Sequence, residues 1–215
     1  MVANLIPIKT IIFDLGGVYF TDGAGRFIRK IYTEFNIPEE KIIAALKGDI
    51  GLKYRTGKIS EEEFWNSVKK FLGIDINNDK LADMWHSSYE LQEGTLGIIK
   101  KLRDAGYEVI FLSNNIKERA EYLQKKYNFT EDFHDGVFSH VVQVNKPDLE
   151  IYRQILKKTK SMAEECVFID DKVENLVPAR ELGMKGIHFR NARQLEKELL
   201  AYIPLKLSLR DSCIF

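Results

Sequence analysis

Cysteine is scarce in this chain. Cys166 in an apolar run and Cys213 beside the C-terminus lie far apart and offer neither metal nor redox spacing. The first is predicted to pack in the core and the second to be an ordinary exposed thiol. Net charge is also missing: 32 Lys and Arg balance 32 Asp and Glu, so no global field favours a nucleic acid or an acidic membrane surface. No apolar run approaches the ~20 residues that span a bilayer, and residues 1–9 lack the apolar core of a signal peptide. The terminal Ser-Cys-Ile-Phe places its cysteine one position too late for prenylation, so a soluble cytoplasmic protein is expected. Gly23 and Gly25 lack the third glycine and the preceding strand of a dinucleotide fingerprint, and no phosphate loop ending in Gly-Lys-Ser/Thr occurs. His86, His134, His140 and His188 show no ligand spacing. Internal repeats and low-complexity linkers are absent too, and nothing fixes an oligomeric state.

What is present is ample apolar material, 45% of 215 residues, enough to pack an interior. Four short runs rich in β-branched and aromatic residues read as buried strands: 8–13, 108–112, 166–169 and 185–189. A fifth is expected over 137–144 despite the polar interruptions Ser139, His140 and Gln143. Helical patterns lie between them. Leu96, Ile99, Leu102 and Ala105 share one face before Gly106; Ile116, Ala120, Leu123 and Tyr127 share another. Ile151, Tyr152, Ile155 and Leu156 mark a helix after Pro147, and 176–182 gives one ended by Gly183. Alternating strands and helices predict an α/β fold, a parallel sheet covered on both faces.

The alternation fails between the first strand and Gly94, where about seventy residues read as helices only. Ser60 and Glu63 match a capping box ahead of the apolar face Phe64, Trp65, Val68, Phe71 and Leu72. A second helix is expected from Pro38, burying Ile42, Ile43 and Leu46. Residues 1–20 and 94–215 are therefore expected to form the core and 21–93 an inserted helical domain. Trp65 and Trp85, both in helical patterns, read as core residues.

Open parallel sheets place their sites outside the carboxyl ends of the strands. There the sequence sets Asp14 after the first strand, Ser113 and Asn114 after the second, Lys146 after the expected 137–144 strand, and Asp170 and Asp171 after the 166–169 run. A carboxylate nucleophile, a hydroxyl, a cation and two carboxylates able to hold a hard metal ion suit phosphoryl transfer. Adjacent carboxylates repel unless a cation or hydrogen bonds compensate, which a metal at Asp170 and Asp171 would do. Asn175 fits equally a helix N-cap or a site residue. Asp alone often only ends a strand, and Ser113 or Lys146 alone would read as a polar terminus or a loop cation; their shared position at one sheet edge favours the functional reading.

Phe13-Asp14-Leu15-Gly16-Gly17-Val18, Phe111-Leu112-Ser113-Asn114, Asn145-Lys146-Pro147-Asp148 and Phe168-Ile169-Asp170-Asp171 with Asn175 resemble, in order, the four motifs of haloacid dehalogenase superfamily hydrolases. The resemblance covers nearly the whole chain, and 167–184 is similar to the phosphatase domain of soluble epoxide hydrolase and to bacterial sugar-phosphate phosphatases. It implies a Rossmann-like core with an α-helical cap inserted after the first strand, and hydrolysis of a small phosphorylated metabolite with Mg²⁺. Asp14 would attack phosphorus; Ser113, Asn114 and Lys146 would hold the substrate. Mg²⁺ would bridge Asp14, the main-chain carbonyl of Gly16 and Asp171, with Asp170 supporting from behind. Tyr19, Phe20, Tyr54 and Arg55 are candidates for choosing the substrate.

One position departs from the family. Most of its phosphatases carry an acid two residues after the nucleophile, and here that residue is Gly16, a loss of about 10²- to 10⁴-fold if nothing replaces it. Some sugar-phosphate members share the Asp-Leu-Gly form. The rival readings are a metal-free dehalogenase, which suits Gly16 but not the paired Asp170 and Asp171, and a non-catalytic binding or regulatory protein.

Overall fold

The computed structural model describes residues 6–203, so Cys213 and the terminal Ser-Cys-Ile-Phe lie outside the described residues. Five strands form one parallel sheet: β1 (Thr10–Phe13), β2 (Glu108–Ser113), β3 (Asp135–Phe138), β4 (Cys166–Asp170) and β5 (Lys185–His188), in the order β3-β2-β1-β4-β5. β1 is central, every residue of it buried. Successive side chains serve opposite faces, as a period of two demands. Ile11, Phe13, Val109, Phe111, Val167 and Ile169 join one apolar cluster. Ile12, Ile110, Leu112, Cys166 and Phe168 join another.

Helices cover both faces, giving the expected α/β Rossmann-like core. On the first side pack α6 (Glu93–Asp104), α7 (Lys117–Tyr127) and α11 (Ala192–Leu199), through Ile99, Leu102, Ile116, Leu123, Leu195 and Leu199. On the second pack α9 (Leu149–Lys158) and α10 (Val173–Glu181), through Ile151, Tyr152, Ile155, Leu176 and Ala179.

Two edge strands differ from expectation. β3 covers 135–138, and the predicted continuation turns instead into the short helix α8 (Ser139–Val142). Pairing with β2 ends at Ser113 and Phe138, and the Ser139 hydroxyl then donates to the carbonyls of Asn115 and Arg55. The polar interruptions therefore marked the end of a strand. In β5 only Ile187 is buried, because the strand is flanked on one side alone.

Between β1 and α6 lie five helices: α1 (Gly23–Phe35), α2 (Glu39–Lys47), α3 (Asp49–Arg55), α4 (Glu61–Leu72) and α5 (Asn78–His86). The capping box of α4 is formed, with the Glu63 carboxylate accepting from the Ser60 N–H at 2.8 Å and the Ser60 hydroxyl accepting from the Glu63 N–H at 3.2 Å. Such a cap stabilises a helix by about 1 kcal/mol. Phe27, Tyr54, Phe64, Trp65 and Trp85 build an aromatic core of their own, with Tyr54 stacked on Phe64 at 4.4 Å and Trp65 edge-on to Trp85 at 5.3 Å. Phe71 is 54% exposed and Ile43 36%, so both stand outside the predicted apolar faces. Each sits at the margin of its stripe, beside buried Leu72 and Ile42.

The segment of five helices leaves and rejoins the rest of the chain through two paired crossings. Thr21 N–H donates to the Glu90 carbonyl and Gln92 N–H to the Tyr19 carbonyl. The Gln92 side-chain amide also reaches the carbonyls of Gly17, Val18 and Phe20, at 3.1, 2.9 and 3.0 Å.

Candidate active site

Strand order reverses direction at β1, where β2 departs to one side and β4 to the other, and a crevice opens at that switch point. Asp14 follows β1 directly, its N–H still bonded to the Ile169 carbonyl at 2.8 Å. Its Oδ1 accepts from the Leu15 N–H and from Lys146 Nζ, both at 2.8 Å. Among the described residues Oδ2 has no hydrogen-bond partner, and Asp14 lines a cleft of about 280 Å³ together with Gly16, Ser113, Asn114 and Lys146.

Lys146 is buried and surrounded by acceptors: Asp14 Oδ1 at 2.8 Å, Asp170 Oδ2 at 2.7 Å and the Leu112 carbonyl at 2.9 Å. Three acceptors match the three ammonium hydrogens. Burial works against the charged amine, but Asp14 and Asp170 hold its pKa above the ordinary lysine value. The Asn114 carboxamide brackets the Lys146 peptide, donating to its carbonyl at 2.9 Å and accepting from its N–H at 2.8 Å. Its geometry is thus that of a clamp on Lys146. Ser113 is buried at the end of β2 and lines the cleft.

The two adjacent aspartates differ sharply. Asp170 is fully enclosed and saturated, accepting from Lys146, from the Lys172 N–H at 2.9 Å and from Asn175 Nδ2 at 2.9 and 3.0 Å. Asn175 lies inside the first turn of α10 instead of capping it; Lys172 occupies the cap position. Asp171, by contrast, has a buried Oδ1 with no hydrogen-bond partner, and the Lys172 ammonium stands 3.8 Å from it.

Ligand oxygens of Asp14, Asp170 and Asp171 all lie within 4.8 Å of one another. Burial pushes the Asp14 pKa up to about 7; Lys146 and Lys172 pull it back, while Asp170 and Asp171 add to the rise. Burial, opposed by Lys172, likewise raises Asp171. Three clustered carboxylates with an orphaned oxygen on one of them fit a hard divalent cation, which would relieve both the repulsion and the missing partner. Gly17, at φ +92, brings the backbone against Asp171. Gly16 is less confined, since a Cβ there would meet only Tyr89 Cε1 at 3.6 Å.

The model of the haloacid dehalogenase-like hydrolases matches residues 8–183. The chain belongs to this family. A sesquiterpene phosphatase of Aspergillus oryzae is 25% identical over 192 residues, covering 86% of this chain and 91% of that protein. A D-ribitol-5-phosphate phosphatase of Bacteroides thetaiotaomicron is 24% identical over 200 residues, covering 89% and 97%. Among solved structures, a haloacid dehalogenase family enzyme of Bacteroides thetaiotaomicron in complex with magnesium and inorganic phosphate superposes with a TM-score of 0.70 at 25% identity, covering 86% of this chain and 95% of that one. This hydrolase thus has phosphatases among its relatives. No helix among its described residues is long and apolar enough to cross a membrane.

Of the candidates for substrate choice, Phe20 and Arg55 line the cleft of the hydrolase. Tyr19 and Tyr54 do not: their hydroxyls donate to Asp132 at 2.6 Å and to Glu118 at 2.9 Å respectively. Tyr89 and Arg119, passed over in the sequence, reach the cleft, as does Trp85, which is the core residue expected, at 4% exposure, and also lines the cavity. Arg119 stacks on Tyr89 and Trp85, with its guanidinium 4.5 and 5.0 Å from their ring centres. A signal was present, since Arg119 falls on the apolar face of its helix beside Ile116, Ala120 and Leu123, an unusual place for a cation.

Proposed function

We propose that this hydrolase is a Mg²⁺-dependent phosphatase acting on a small phosphomonoester through an aspartyl-phosphate on Asp14. The observation that carries the reading is the carboxylate cluster: Asp14, Asp170 and Asp171 within 4.8 Å, with Lys146 between two of them and one Asp171 oxygen unpartnered. Asp14, the main-chain carbonyl of Gly16 and Asp171 are the residues that would hold the ion. When bound, Mg²⁺ supplies charge neutralisation for the phosphoryl oxygens and the surrounding carboxylates. The phosphatase relatives point the same way.

Lys146 holds Asp14 Oδ1, which leaves Oδ2 facing the cleft to attack phosphorus in line. The new Asp14 O–P bond forms as the bond to the leaving oxygen breaks, and that oxygen takes a proton from water, since Gly16 offers none. Water then attacks phosphorus, releasing phosphate and restoring the carboxylate. Ser113 donates to a phosphoryl oxygen; Asn114 fixes the Lys146 backbone; Asp170 orients Lys146 and Asn175. Residues 21–93 act as the cap that chooses the substrate.

A screen of phosphate esters with Mg²⁺ and with chelator, using Asp14→Asn as the blank, tests the reading. Turnover that needs both Mg²⁺ and Asp14 is expected. Full turnover in excess chelator, or in the Asp14→Asn variant, would overturn it. A dehalogenase has no use for Asp171, whose unpartnered oxygen beside Asp14 disfavours an anionic substrate in the absence of a cation.

A further inference from the structure

The phosphoryl chemistry leaves one group of cleft residues unused. Arg55 comes from the end of α3, Trp85 from α5 and Arg119 from α7, and all three line the same cavity as Asp14. Neither guanidinium forms an ion pair among the described residues. Arg119, only 5% exposed, commits its Nε to Asn115 at 2.6 Å and one Nη to Tyr89 at 2.8 Å. Arg55, partly buried, gives one Nη to the Leu46 carbonyl at 3.0 Å. Each guanidinium has five N–H donors, so most remain available.

The two cations also work against each other. Burial lowers the Arg55 pKa, and the charge of Arg119 lowers it further. Proteins bury like charges together at a cost unless an opposite charge sits between them. Stacking on Tyr89 and Trp85 accounts for where Arg119 lies, but not for the free donors of Arg55. Lys47, at the rim, adds a further positive charge to the cleft lining.

We propose that the cleft holds, beside the phosphoryl group to be transferred, a second anionic oxygen group on the same substrate, a carboxylate or a second phosphate, bound by Arg55 and Arg119. Planar guanidiniums suit both groups, since their paired donors match two oxygens at once. The substrate class becomes a phosphomonoester with an anionic far end. This inference rests on the phosphatase reading for its reacting end, but its binding determinants are independent of Asp14 and the metal.

The test compares α,ω-alkanediol bisphosphates and ω-phosphoalkanoates of three to six carbons with the hydroxyl-ended monophosphates of the same lengths. Two quantities are read for each: kcat/KM on the wild-type protein with Mg²⁺, and the dissociation constant on Asp14→Asn by calorimetry. For one chain length the anionic-ended compound should exceed its hydroxyl-ended partner by about tenfold or more in both, and Arg55→Gln should bring that ratio close to one. Whether carboxylate or phosphate wins identifies the group. If Arg55→Gln does not fold, Arg55→Lys, which keeps a donor for the Leu46 carbonyl but loses the paired geometry, should lower the same ratio. Equal turnover and equal binding of charged and neutral compounds would overturn the second site and leave the phosphatase reading standing. A binding preference without turnover of any ester would support the site and overturn the phosphatase reading alone. A ratio unchanged in a folded Arg55 variant would overturn the assignment.

Discussion

Asp171 leaves no room for a side chain on Gly17: a Cβ built there would lie 2.5 Å from Asp171 Oδ2. The backbone at Gly17 also has φ +92, a region that residues with a Cβ rarely adopt. Gly17→Ala should therefore displace Asp171 and weaken Mg²⁺ binding together with turnover. Gly16→Ala, whose Cβ meets only Tyr89 at 3.6 Å, should bind Mg²⁺ nearly as wild type does. Calorimetric Mg²⁺ titration of the two variants checks the contrast. Equal affinities would show that Asp171 is not held in place by the close approach of this backbone.

The adjacent aspartates should separate in the same assay. On the proposed assignment, Asp171→Asn removes a ligand and should weaken Mg²⁺ affinity by more than about 100-fold, whereas Asp170→Asn disturbs a supporting residue and should cost about 10-fold. Asp170→Asn should also lower turnover at saturating Mg²⁺, because Lys146 and Asn175 lose their shared anchor. The opposite ranking of metal affinities would mean that the two roles are exchanged.

At Gly16 the missing acid should show in the leaving group. Without a proton donor two positions after Asp14, rates of phosphoryl transfer should fall steeply as leaving-group pKa rises, favouring aryl, acyl and anomeric sugar phosphates. A folded Gly16→Asp variant has space for its Cβ and should flatten the dependence. Single-turnover rates over a series of phenyl and alkyl phosphates measure both slopes. A flat wild-type slope with chemistry rate-limiting would show that another residue already supplies the proton.

His86 should make stability depend on pH. Burial, helped by the nearby Arg119 charge, lowers its pKa to about 3, so the 3.5 Å contact with Glu61 is not an ion pair at neutral pH. The unfolded histidine titrates near its model value of 6.5, so between 6.5 and about 3 the unfolded chain binds the extra proton. The stability that the neutral folded side chain confers is present above 6.5 and lost as pH falls through that window. Denaturant midpoints measured from pH 7.5 to 4.5 should fall for wild type more steeply than for His86→Phe. Parallel curves would refute the assignment.

Much of the core was legible in the sequence, for a physical reason. β1, β2 and β4 are flanked by strands on both sides and covered by helices on both faces, so their middle residues had to be apolar, and Asp14, Ser113, Asp170 and Asp171 stand out where those runs stop. The edge strands β3 and β5 bury less and so carried a weaker pattern. Asn114, expected to hold the substrate, lines the cleft, but its amide is spent on the Lys146 backbone, which the sequence does not reveal. Tyr89 and Arg119 escaped, and Trp85 was read only as core, because no strand end places them beside Asp14. They meet only when the insertion docks on α7, a relationship between elements that local periodicity does not encode.

The Gln92 amide, shared among three carbonyls of the opposite crossing, gives the insertion a property of its own. The main-chain bonds from Thr21 N–H to the Glu90 carbonyl and from Gln92 N–H to the Tyr19 carbonyl fix the two crossings to each other as well. The core therefore sees the insertion as a loop whose ends are already closed, and closing such a loop grows costlier only slowly with its length. If residues 21–93 are the proposed cap, a helical bundle of different size or lining that enters at Thr21 and leaves at Glu90, with Gln92 kept, would present new chemistry to an unchanged Asp14.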